Sequence, residues 1–114
     1  MMTQSPIHSS LAEGRWKTFS LAFQLANVGS DVGRALKAKQ EGRADRITAP
    51  FDRALELLDL TIADPKHRYR LKELCRLREV LCDFFCGDNE YRSNPDAIDR
   101  YFLEFAVAAR SERK

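Results

Sequence analysis

Four stretches of the chain carry apolar residues at helical spacing, and punctuating residues separate them. From Leu11 to about Gln40 there is no proline, and apolar positions recur every three or four residues. Ser9 or Ser10 is placed to cap this first helix, and Gly42 to stop it. The polar run 41–49 reads as a connection. Thr48 or Ala49 before Pro50 marks a second start, because proline is tolerated in the first turn, and this helix runs to about Ala63. Asp64-Pro65 is a cap followed by a first-turn proline, opening a third helix that runs to Cys86, with Gly87 as its stop. Asn94-Pro95-Asp96 repeats the signature, and the fourth helix runs to about Arg110. No stretch alternates with period two, so no sheet is expected. The pattern predicts an all-α fold, an antiparallel up-and-down four-helix bundle. Residues 1–9 read as a flexible polar tail and residues 10–114 as one domain.

The first helix is the most informative. Ser20, Gln24, Asn27, Asp31 and Arg34 share a narrow polar stripe at 100° per residue. One flank carries Leu21, Leu25, Val28, Val32 and Leu36. The other carries Phe19 and Phe23, with Trp16 at its edge. Between them run Ala22, Ala26, Gly29 and Gly33, a groove of small residues that admits another helix closely. Each mid-helix glycine costs about 1 kcal/mol relative to alanine, so the contact must return that amount. The groove suits either a helix of the same chain or a second copy. The second helix offers Phe51, Ala54, Leu55, Leu58 and Ile62 to a core. The third offers Leu71, Leu74, Leu77, Leu81, Phe84 and Phe85. The fourth offers Ile98, Phe102, Phe105 and Ala109, with Tyr101 alongside.

Composition narrows the class. The 114 residues are 44% apolar, with seven Phe and a net charge of +2, which makes one globular domain and excludes a disordered chain. The longest uncharged stretch, Thr18 to Ser30, is too short to span a bilayer. The N-terminus lacks the basic and apolar regions of a secretion signal, so a cytoplasmic, non-membrane protein is expected. Cys75, Cys82 and Cys86 share one helix face. They are odd in number and lack a CxxC turn, so they are expected to pack in a core rather than hold a metal or form a disulfide.

Charge is polarised along the chain. Residues 66–78 hold six cations, Lys66, Arg68, Arg70, Lys72, Arg76 and Arg78, plus His67, against Glu73 alone. Lys37, Lys39, Arg43 and Arg46 add to this side, whereas residues 83–104 hold six acids against two arginines. The six cations are candidate phosphate contacts for a nucleic acid. The competing reading is a solvated face paired with neighbouring acids, and no known nucleic-acid motif is present to favour the first.

Catalytic chemistry finds little purchase. There is no phosphate-cradling loop, no HExxH and no GxSxG. No Glu has a His three residues on, as bundle metal sites need. Glu56 and Asp59 fall on the outer side of the second helix. His67 lies about 12 Å of helical rise from Cys75, too far for a nucleophile pair. The Arg and His motif of HEPN-type ribonucleases is also missing, because Leu60, Thr61 and Ile62 stand where the arginine would precede His67. No catalytic residue, metal or cofactor is therefore expected.

Two stretches, LANVGSDVGRALKAK (25–39) and RALELLDLTIADPKHRYRLKELCRLREVLCDFFCGDNEY (53–91), resemble a family of small all-helical bacterial proteins of uncharacterised function. The resemblance implies a cytoplasmic bacterial bundle and carries over no site residues. FDRALELLDLTIADP (51–65) is also similar to the second helix of a tetratricopeptide repeat. A single such unit cannot bury its faces as an array does, so it reads as convergence on a good amphipathic helix. The expectation is a non-enzymatic bundle that binds a second copy of itself, as a dimer, or another protein. A nucleic-acid-binding accessory role for residues 66–78 is the alternative.

Overall fold

The computed structural model describes residues 14–112, all helices and connections, with no strand among them. The expected tail, residues 1–9, lies outside the described residues. Residues 14–16 are helical. Four longer helices follow: α1 (Leu21–Gln40), α2 (Thr48–Ile62), α3 (Leu71–Cys86) and α4 (Pro95–Ser111). Short 3₁₀ segments, Ala44–Arg46 and Pro65–Arg70, sit before α2 and α3. None of the described helices is long and apolar enough to cross a membrane.

The apolar stripes decide the packing. α1 lies against both α2 and α4, and α3 rests on α2. Leu25, Val28, Val32 and Ala35 of α1 meet Phe51, Ala54 and Leu58 of α2 in one core with Leu74, Leu81, Ile98 and Phe102. Burying a side chain of this size stabilises by roughly 1.5–3 kcal/mol. Ser20 Oγ donates to Glu112 at one end of the α1–α4 contact, and Gly29 meets Phe102 further along, so α4 runs back beside α1. α3 and α4 stand apart, joined by a cross-bridge from Tyr101 to Glu73.

The fourth helix starts as its sequence predicts: Asn94 Oδ1 accepts from Ala97 N at 2.8 Å, with Pro95 in the first turn. Gly42 ends α1 with φ +71°, a conformation that a side chain would strain.

Several expectations are corrected. The first helix is not continuous from residue 11. It breaks at residues 17–20 and restarts at Leu21, because Ser20 caps it by accepting from Phe23 N at 3.1 Å. The expected caps Ser9 and Ser10 lie outside the described residues. The third helix is also split: His67 at φ −101°, ψ 17° kinks Pro65–Arg70 internally, and Arg70 at φ −115°, ψ 11° separates that segment from α3. α2 does begin at Thr48, where the Thr48-Ala49-Pro50 signal marks a start. Gly87 ends α3 in extended rather than left-handed geometry. In α2, Leu57 and Thr61 are buried, while Leu55 and Ile62 are half-buried. Leu71 is exposed, and Leu77 and Phe85 are half-buried. Of the three cysteines expected in a core, Cys82 is half-buried and packs against it, while Cys75 and Cys86 are exposed.

Candidate interaction surfaces and a buried polar corner

Two members of the polar stripe point inward. Gln24 is fully buried and Asp31 nearly so. Asp31 accepts from Arg34 at 2.9 Å and from Arg53 of α2 at 3.3 Å, tying α1 to α2. Gln24 anchors a network where the 3₁₀ segment before α3 crosses the start of α1. Its Nε2 donates to the Trp16 carbonyl at 2.6 Å, so its Oε1 faces His67 Nε2 at 2.7 Å. A carbonyl only accepts, which fixes the amide and makes the imidazole Nε2 the protonated nitrogen. Trp16 Nε1 donates to Thr61 Oγ1 at 3.0 Å, and Thr61 Oγ1 donates to the Leu57 carbonyl. Lys66 Nζ donates to the carbonyls of Lys17 and Phe19, which the break before α1 leaves without helical partners.

Asp64 closes this corner. One carboxylate oxygen accepts from Lys66 N at 3.1 Å. The other lies 3.3 Å from Lys66 Nζ and 3.9 Å from His67 Nε2 with no aligned donor. Burial pushes the Asp64 carboxyl up, but the Lys66 amide and ammonium, with His67, hold it below the usual carboxylate range. Burial pushes His67 down, and Lys66 and Arg70 add to this against the opposing pull of Asp64. The fold therefore keeps His67 neutral. Stability from this term is fully present above the unfolded value of about 6.5 and is lost as pH falls below it. The urea midpoint of the full chain is expected to drop between about pH 7.5 and pH 5.5, and to drop less in His67→Gln. Equal drops in both proteins would contradict the assignment.

The six candidate phosphate contacts are not one free strip. Lys66 is committed to the corner. Arg70 forms a two-pronged contact with Glu73 at 3.0 Å, and Arg78 pairs with Asp59 at 2.7 Å. Hydrogen bonding to Asp59 raises Arg78 further. Asp59 thus has a partner on α3, and Glu56 is half-buried and also engaged. Arg68 stacks on Tyr69, and Arg76 on Tyr91. Lys72 is exposed.

Comparison with protein-family models, curated proteins and solved structures found no match. The surfaces themselves must therefore carry the functional reading.

The small-residue groove is divided by the fold. A Cβ on Gly29 would stand 2.6 Å from Phe102 Cβ, so the middle of the groove is filled by α4 of the same chain. Gly33 has nothing within 4 Å of such an atom and faces open space. Ala22 is half-buried, and Ala26 floors two shallow cavities along the outer α1–α4 seam. Their volumes are about 410 and 290 Å³, and Leu103, Ala106, Ser30 and Arg110 are among their walls. Leu103 is 56% exposed and Val107 48%, one turn apart on α4. The sequence reading missed both, because a helix pattern marks which residues pair with a core and not which outward apolar residues lie beside a seam.

A third concavity, about 340 Å³, lies between α3 and α4 and is walled mainly by apolar side chains, among them Leu77, Val80, Ile98 and Phe102. Tyr101 Oη donates to Glu73 at 2.7 Å across one end. Burial and this bond to a carboxylate push the phenol up, while the Tyr101 and Arg70 hydrogen bonds overcome burial to hold Glu73 below its usual range. Burial pushes the Cys82 thiol up, which disfavours a reactive thiolate there.

Proposed function

We propose that this chain is a non-enzymatic self-association module in which two copies pair across the α1–α4 seam. The observation that carries the reading is the exposed Leu103–Val107 pair beside a floor of small residues, Ala26, Ser30 and Ala106. Exposed apolar side chains clustered on one face are the usual mark of a protein contact. The charges along α4 complement themselves. Asp96 and Asp99 lie near its N-terminal end and Arg110 near its C-terminal end, with Leu103 midway between Asp96 and Arg110. Two α4 helices crossing antiparallel at Leu103 bring each Asp96 toward the other copy's Arg110. That is the self-complementary arrangement a two-fold dimer requires. The expected groove of Ala22, Ala26, Gly29 and Gly33 then contributes its outer edge, Ala26 and Gly33, while Gly29 serves the packing within each copy.

The four helices on this reading form an antiparallel up-and-down bundle. The pairs Ser20–Glu112, Asp31–Arg53, Asp59–Arg78 and Glu73–Tyr101 support that order. Leu103→Glu places two carboxylates face to face at the two-fold and is expected to raise the dimer dissociation constant at least about tenfold. Dilution followed by light scattering reads this, and an unchanged constant would count against the seam.

One observation favours the alternative of nucleic-acid binding: Tyr69 is 85% exposed with Arg68 stacked on it, an arrangement able to meet a base. Against it, Lys66, Arg70 and Arg78 already face acids or carbonyls. Salt-dependent binding of a single-stranded oligonucleotide, weakened by Arg68→Gln, is what the alternative requires.

A further inference from the structure

We propose that the cavity between α3 and α4 is a binding site for an amphipathic anion, a small molecule with an apolar body and a carboxylate head. The cavity lies on the opposite side of α4 from Leu103, so the inference stands apart from the self-association reading.

Three observations carry it. First, the walls are apolar and the volume, about 340 Å³, falls in the range of small-molecule sites. Second, polar groups bound the cavity along α4. The Tyr101–Glu73 bridge spans one end, and the loop bearing Arg92, Ser93 and Asn94 borders the other. From Asn94 to Tyr101 is roughly 10 Å along α4, about two helical turns. Third, the exposed rim is cationic. Arg76 and Arg92 both line it, and among the described residues neither has a carboxylate within ion-pair distance. Arg76 is steadied by the Tyr91 ring, 4.9 Å from its guanidinium carbon. The one acid on the wall, Glu73, stands at the bridged end, neutralised by Arg70.

The loop that presents Arg92 is built to hold it. Asp83 accepts from the backbone N–H groups of Glu90 and Tyr91 at 2.8 and 3.0 Å. Asn89 and Ser93 exchange two hydrogen bonds, at 2.9 and 3.0 Å. Arg92 itself sits at φ +54°, a left-handed conformation that a non-glycine residue keeps only when its surroundings impose it. Apolar walls bury the body of a ligand, and two arginines with no other anion to serve receive its head.

Titrating the full-length protein with decanoate, and separately with decanol, tests this by backbone amide NMR. Decanoate is expected to bind with a dissociation constant below about 1 mM, with the largest shifts at Leu77, Val80, Ala97 and Ile98. Decanol is expected to bind at least about tenfold more weakly. The double variant Arg76→Gln, Arg92→Gln, whose sites are on the surface, is expected to weaken decanoate about tenfold and leave decanol unchanged. Any one of three results would overturn the proposal: no decanoate shifts, equal affinity for decanoate and decanol, or shifts centred on Leu103 and Val107.

Discussion

Trp16→Ala is expected to cost about 4 kcal/mol of folding stability, the largest single effect predicted for this chain. Trp16 is buried in the main core although it precedes the break before α1. Its indole contacts the Phe19 ring edge-on at 5.9 Å, and its Nε1 donates to Thr61. Alanine there leaves a cavity, takes away the indole donor to Thr61 Oγ1, and loosens the backbone that Gln24 and Lys66 hold. Whole domains are stable by only about 5–15 kcal/mol, so the variant approaches the unfolding threshold. Urea titration followed by far-ultraviolet circular dichroism reads the loss. A change under about 1 kcal/mol would show that the indole is not packed as described.

The second large effect is a contrast between two glycines. At Gly29 the nearest neighbours of an added Cβ are Phe102 Cβ at 2.6 Å and Cγ at 2.9 Å. These atoms sit next to the α4 backbone and cannot swing away, so the helices must part. Gly29→Leu is expected to destabilise by about 2 kcal/mol, net of the gain in helix propensity. Gly33→Leu meets open space and should stabilise a monomeric sample by up to about 1 kcal/mol. Thermal unfolding of dilute samples separates them. Two equal effects would remove the close approach of α1 and α4 at Gly29.

The helical architecture was legible because caps and periodicity are local. Asn94-Pro95 and Asp64-Pro65 each opened a helical segment where predicted, since the cap and the proline act within one turn. The break before α1 was not legible. Phe19 and Leu21 continue the apolar pattern across it, and the interruption is set by long-range partners, Lys66 for the free carbonyls and Thr61 for Trp16. The same holds for Gln24 and Asp31, polar by sequence yet buried because His67 and Arg53 reach them from other elements. The basic segment was visible as a count of cations, whereas its division into paired and free members depends on Asp59, distant in sequence from Arg78. Cys75 and Cys86 misled because a shared helix face does not say which of its residues the core covers, and only Cys82 packs against it.

The claim on which the functional account rests is that two chains meet through α4. Sedimentation equilibrium of the full-length protein measures it directly. The account predicts a mass twice the chain's 13.1 kDa. Asp96→Arg should return the mass toward that of a single chain, and adding Arg110→Asp to the same chain should restore the pair. A mass of 13.1 kDa at every concentration up to about 0.1 mM, or a pair indifferent to both reversals, would contradict it.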